Sequence, residues 1–87
     1  MSYTLRFKNS VRKDSKRLSP EVFDRIIAKV YSDLLPDPRR GEPMKGKGRP
    51  LWKFRVGDYR VLYVFSDTEL WVLVVRVGHR REVYRTP

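Results

Sequence analysis

Leu51-Trp52-Lys53-Phe54-Arg55-Val56-Gly57-Asp58-Tyr59-Arg60-Val61-Leu62-Tyr63-Val64-Phe65 reads as two strands joined by a tight turn. Trp52 and Phe54 alternate with Lys53 and Arg55, which is the pattern of a strand with one covered face and one open face. Gly57-Asp58 supplies the turn. Ser66-Asp67-Thr68 turns the chain again, so residues 51–56, 59–66 and 69–77 are expected as successive strands. The 59–65 and 70–77 runs are nearly continuously apolar, as strands buried on both faces are. Links this short force antiparallel pairing, which makes the three strands a meander.

Working towards the N-terminus, Tyr3, Leu5 and Phe7 alternate with Thr4, Arg6 and Lys8 in another half-buried strand. Asn9 or Ser10 is placed to cap a short helix running to about Leu18. Its apolar side is thin, with only Val11 and Leu18. The second helix is clearer. Ser19 stands at its cap and Pro20 at its first position, where a missing N–H costs nothing. Glu21 and Asp24 lie near the positive end of the dipole. Val22, Phe23, Ile26, Ile27, Val30, Tyr31 and Leu34 then form one apolar stripe that a sheet must cover. Pro36 and Pro38 end the helix, and residues 36–50 read as a basic loop. Gly46-Lys47-Gly48 within it lacks the spacing of a Walker loop. The expected order is β-α-α-β-β-β. This is an α+β fold in one domain over residues 1–87, an antiparallel sheet with a helical hairpin packed on one face.

Composition narrows the chemistry. The chain has 87 residues, enough for one domain and no second. Cysteine is absent and His79 is the only histidine, which excludes disulfides, thiol nucleophiles and two-histidine metal sites. No apolar run reaches membrane-spanning length and no signal peptide is apparent, so the cytoplasm is the expected compartment. Twenty Lys and Arg against ten Asp and Glu give a formal charge of +10. That excess suits a polyanion. Arginines outnumber lysines thirteen to seven, which favours bidentate phosphate recognition over a diffuse positive coat.

The strand pattern gathers this charge. With Trp52 and Phe54 facing the helices, Lys53 and Arg55 share the open face. Arg60 begins the next strand across a tight turn, within reach of Arg55. Arg76, Arg80, Arg81 and Arg85 arrive at the end of the last strand, with His79 and Tyr84 among them. Several cations on one open face repel one another, and an anionic phosphodiester relieves that cost. The loop cations at 39–49 read either as a solvated loop or as a docking element.

Trp52-Lys53-Phe54-Arg55, Gly57-Asp58-Tyr59-Arg60-Val61-Leu62-Tyr63 and Val77-Gly78-His79-Arg80-Arg81-Glu82-Val83-Tyr84 together resemble the RelE/ParE toxin superfamily. Lys45-Gly46, preceded by Met44, is similar to the Leu-Lys-Gly signature ahead of the family's second strand. The resemblance covers almost the whole chain. It implies a toxin of a type II toxin–antitoxin pair. RelE-like members cleave messenger RNA in the ribosomal A site, using the RNA 2′-hydroxyl against the adjacent phosphate. ParE-like members share the fold and inhibit DNA gyrase. A nontoxic protein-interaction module of the same fold is the remaining alternative.

Carried over residue by residue, the resemblance places Lys53, Arg55, Arg60, Arg80 and Tyr84 at the catalytic positions. Lys45, Lys47, Arg76, His79, Arg81 and Arg85 are expected to bind RNA and the ribosome around them. No metal or cofactor is expected. Arg55 stands where the family has its second lysine, and a guanidinium is a poor proton acceptor. The base is then Lys53, Tyr84 or His79. The chain stops three residues past Tyr84, so the C-terminal helix of many relatives is not expected. Expected partners are the ribosome, messenger RNA and a small acidic antitoxin. The antitoxin's helix is expected in the groove beside the helical hairpin or over the cationic face, in a hetero-oligomer.

Overall fold

The computed structural model describes residues 2–44 and 51–79. Strand β1 (Thr4–Phe7) leads into helix α1 (Asn9–Lys16) and helix α2 (Pro20–Lys29). A two-residue strand β2 (Glu42–Pro43) precedes the meander β3 (Trp52–Val56), β4 (Tyr59–Ser66) and β5 (Trp71–His79). The strands form one sheet in the order β1-β5-β4-β3-β2. The chain therefore starts at one edge, carries its helices across, enters the other edge at β2 and returns strand by strand.

The meander is antiparallel, as its short links require. The sheet as a whole is mixed, because β1 runs parallel to β5. This corrects the expectation of an antiparallel sheet throughout. Turn lengths fix the sense of consecutive strands only, and β1 reaches its partner through the rest of the chain. β5 also continues to His79, where a separate basic tail was expected from Gly78.

Each helix starts for a different reason. At α2, Ser19 Oγ accepts the Val22 N–H at 3.2 Å and Pro20 follows, as the sequence predicts. The last turn widens at Val30–Leu34, where Leu35 N–H donates to the Val30 carbonyl at 2.8 Å. At α1 the cap position is Lys8, without a side-chain cap, so neither Asn9 nor Ser10 caps it. Ser10 is used elsewhere: its Oγ donates to the Val75 carbonyl.

The helical hairpin covers one sheet face. Val11, Ile26, Val30 and Leu34 pack with Val61, Tyr63, Val72, Val74 and Val77 in a continuous buried cluster. Trp52, Phe54 and Val56 lie opposite Tyr63, Val61 and Tyr59 in the ladder and pack against the same cluster. Lys53, Arg55 and Arg60 consequently point to the reverse face. Gly57, first of the two turn residues, has φ 60°, which a side chain would strain.

Tyr63 also anchors the stretch expected to be loop. Its ring is fully buried and its hydroxyl donates to the Pro38 carbonyl at 2.5 Å. A Cβ on Gly41 would collide with that hydroxyl and stand 2.5 Å from the Lys53 carbonyl oxygen, which cannot step aside. Residues 38–43 thus lie directly on β3 and β4, with a short helical turn at Pro38–Arg40.

Tyr63→Phe leaves the Pro38 carbonyl without its donor. The expected cost is about 1–3 kcal/mol of unfolding free energy in urea titration. Burial raises the Tyr63 pKa above the usual tyrosine value. The folded state therefore holds the proton more tightly than the unfolded chain. That contribution is complete below about pH 10 and is lost as pH rises beyond it. Tyr63→Phe is expected to remove this part of the alkaline destabilisation. Gly41→Ala is expected to destabilise by about 1–3 kcal/mol through overpacking.

Candidate functional site

On the face away from the helices, Arg40, Gly41, Glu42, Lys53, Phe54, Arg55 and Arg60 line a recess of about 360 Å³. Its cations come from three separate stretches: the turn before β2, strand β3 and strand β4. The ladder explains the convergence. Lys53 pairs with Glu42 on one side and with Leu62 on the other, while Arg55 pairs with Arg60. Directly opposed residues point to the same face, so the two arginines are neighbours of like charge.

Arg60 is the most confined of these cations, with 8% of its surface exposed. Its Nη1 donates to the carbonyls of Gly57 at 3.3 Å and Tyr59 at 3.1 Å, which folds the guanidinium over the β3–β4 turn. Among the described residues no carboxylate forms an ion pair with Arg60, Arg55 or Arg40. Glu42 is the recess's one carboxylate among the described residues; its Oε2 lies 3.9 Å from Lys53 Nζ, a long contact on an exposed side chain. Such a contact is weak and yields readily to a stronger anion.

The expected site residues have different fates. Lys53, Arg55 and Arg60 come together at the recess. Arg80 and Tyr84, and the expected RNA-binding residues Lys45, Lys47, Arg81 and Arg85, lie outside the described residues. Arg76 is held internally: its Nε lies 3.0 Å from Asp14 Oδ2 and its Nη2 3.2 Å from Oδ1. This bidentate pair with a buried carboxylate neutralises much of its charge, and Arg76 does not line the recess. His79 ends β5 opposite Tyr59, with the two rings edge to face at 5.9 Å. Tyr59 packs on the helix-covered side, so His79 does not share the face of Arg60.

Arg40 and Glu42 line the recess, although the sequence pattern of residues 36–50 predicts only a loop. The available signal was Asp37-Pro38 followed by Gly41, a turn that folds the segment back. Asp37 accepts the Arg39 N–H at 3.3 Å and caps that turn. Arg39 itself points away. Its guanidinium binds Asp67 and sits 5.5 Å from the centroid of the Phe65 ring. The Asp67 carboxyl is held below its usual range, first by that Arg39 hydrogen bond and then by the one from Tyr3.

An arrangement of this kind has the chemistry to bind an anion and to stabilise charge that develops on it. Preplaced cations in a partly water-excluded recess act without reorganising as the charge appears. The described residues offer no histidine inside the recess to move a proton.

Comparison with known proteins places the chain in a lineage. A family model described as "ParE toxin of type II toxin-antitoxin system, parDE" matches residues 5–84. Toxin RelG of Mycobacterium tuberculosis is 34% identical over 86 residues, covering 98% of this chain and 99% of the relative. Toxin RelE of the same organism is 29% identical, covering 95% and 87%. Among solved structures, the toxin–antitoxin complex RelBE2 of M. tuberculosis matches with a TM-score of 0.83 at 32% identity, covering 92% of this chain and 100% of that one. The intact RelBE complex of E. coli matches with a TM-score of 0.70 at 27% identity, covering 88% and 95%. With the family model spanning nearly the whole chain and the fold shared with these toxins, the chain belongs to the RelE/ParE family of type II toxin–antitoxin toxins.

Proposed function

We propose that this toxin is a ribosome-dependent messenger RNA endoribonuclease that acts in the A site and so stops translation. The observation that carries this reading is Arg60: a nearly buried guanidinium, opposed by Arg55 and lining a recess with Lys53 and Arg40. A buried cation without a carboxylate is costly unless a ligand supplies the countercharge. A phosphodiester supplies it.

In the proposed reaction the RNA 2′-oxygen attacks the adjacent phosphorus. The 2′-oxygen–phosphorus bond forms and the bond to the 5′-oxygen breaks, leaving a 2′,3′-cyclic phosphate and a 5′-hydroxyl. Arg60 stabilises the extra negative charge at phosphorus, joined by Lys53 as a cation where Tyr84 takes the proton. The 2′-proton goes to Lys53 or Tyr84, and Arg80 neutralises or protonates the leaving 5′-oxygen. His79, on the other face, is the weaker candidate for base. Metal-independent catalysis is part of the proposal, since cations of the chain take the role of a Lewis acid. The compartment of such a reaction is the cytoplasm.

An acidic antitoxin is the proposed partner. An apolar groove of about 350 Å³ runs beside the helical hairpin, lined by Phe7, Val11, Phe23 and Ile27, with Lys8 and Arg12 also on its walls. An amphipathic acidic helix fits that combination, and its binding weakens with salt. The second reading, inhibition of DNA gyrase, draws on the ParE description of the matching family model. The cationic recess has no evident use in that reading.

The test is a pulse of expression without antitoxin, followed by primer extension on a translated message and chemical analysis of the cut ends. The expected result is cleavage at in-frame codon positions with cyclic phosphate ends. Supercoiling defects with intact translation would favour gyrase instead. Lys53→Ala and Arg60→Ala are each expected to lower the cleavage rate by about 100-fold while the protein stays folded. A doubly substituted toxin that still arrests growth like the wild type contradicts the assignment. Glu42→Gln removes the anion that competes at Lys53. It is expected to tighten binding to non-cleavable RNA about two- to threefold at low salt, read by fluorescence anisotropy.

A further inference from the structure

β5 loses its neighbour halfway along. β1 pairs with it only from Trp71 to Val74, and the Lys8 N–H makes the last backbone bond, 2.9 Å to the Val74 carbonyl. From Val75 onward that side of β5 is an edge without a partner strand among the described residues. Helix α1 takes the vacant place. Ser10 and Asp14 stand one helical turn apart, on the same side of α1. Ser10 Oγ donates to the Val75 carbonyl at 2.5 Å, and Asp14 Oδ2 accepts the Val77 N–H at 2.9 Å. The Arg76 guanidinium then closes over both Asp14 oxygens. Asp14 is 6% exposed, and the proposed chemistry makes no use of it.

This clip sits on an irregularity. Opposite Tyr63 the ladder has Val74, but opposite Leu62 it has Arg76, so Val75 is an extra residue in β5. A bulge decides which face every later residue of its strand presents. Beyond it, Val77 lies opposite Val61 in the core and Gly78 lies opposite Arg60 at the recess. Ser10 binds Val75, the extra residue itself, and Asp14 binds Arg76 and Val77 just beyond it, so they hold the register that brings Gly78 beside Arg60.

We propose that Asp14 is a positioning residue for the recess: by clamping the β5 bulge from α1, it fixes where Arg60 stands. The link to rate rests on the endoribonuclease reading; the link to Arg60 does not. Asp14→Asn keeps the shape and an acceptor for the Val77 N–H but loses the charge that faces Arg76. Ser10→Ala removes only the bond to Val75.

The experiment uses the full-length toxin with two readouts. One is the NMR signal of the Arg60 side-chain Nε–H, together with hydrogen exchange at Gly78. The other is single-turnover cleavage of messenger RNA on programmed ribosomes, per folded toxin molecule. For Asp14→Asn, the Arg60 signal should move, Gly78 should exchange faster than Val61, and the rate should fall about 10- to 100-fold. The apparent affinity for RNA should stay within about threefold, which general unfolding would not produce. Should Asp14→Asn not fold, Ser10→Ala carries the same test with smaller changes. An unmoved Arg60 signal in the folded variant overturns the proposal, and so does a wild-type rate beside a moved signal. If the wild-type toxin cleaves no messenger RNA on the ribosome, the functional reading fails alone, and the Arg60 signal still decides this one.

Discussion

Arg55 and Arg60 stand directly opposite each other in the β3–β4 ladder, and the geometry of the recess follows from that pairing. Like charges at opposed positions destabilise a sheet by themselves. Here one of the two is also nearly buried, and Lys53 and Arg40 line the same cavity. Nothing in the packing of the core requires this arrangement. The helices cover the other face, and the apolar residues of β3 already point there. Under the proposed function a phosphate group would remove the repulsion.

Holding cations close together needs a stiff frame, and its parts come from far apart in the chain. Tyr63 points into the core, yet its hydroxyl reaches through to the Pro38 carbonyl and fixes the segment that carries Arg40 and Glu42. Gly41 permits the close approach of that segment to β3. On the other side of β4, α1 substitutes for the missing half of β1 and keeps the end of β5 in register. The recess is built on strands clamped from both sides, as the proposed charge stabilisation without rearrangement would need.

What could be read from the sequence was what local spacing decides. The α2 start at Ser19-Pro20, the apolar stripe through Leu34 (except Tyr31, which is 54% exposed), and the three-strand meander all depend on residues close in sequence. So does the separation of Lys53 and Arg55 from Trp52 and Phe54. The parallel pairing of β1, the short β2 and the buried role of Asp14 depend on contacts across most of the chain. Arg76 illustrates the limit. In sequence it is one more cation near the end of a strand, like Arg55. Its different fate is set by a carboxylate 62 residues earlier, on a helix whose approach to β5 has no local signature. Arg40 went the other way, from loop residue to recess wall, because Tyr63 and Gly41 bind its segment to the sheet.

The family similarity adds context at the level of the chain. It ties this chain to toxins that have been seen in complex with antitoxins, and it covers the strands that carry Lys53, Arg55 and Arg60. The central claim is narrower and physical: these side chains receive an RNA phosphate. The direct measurement is a titration of the toxin with a 2′-O-methyl RNA oligonucleotide, which binds but lacks the nucleophile, monitored at the arginine Nε–H signals. The account predicts that Arg55 and Arg60 shift in a saturable, salt-sensitive way while Arg76, held by Asp14, stays in place. Shifts at Arg76 or on the helix-covered face, with Arg55 and Arg60 unmoved, would contradict it.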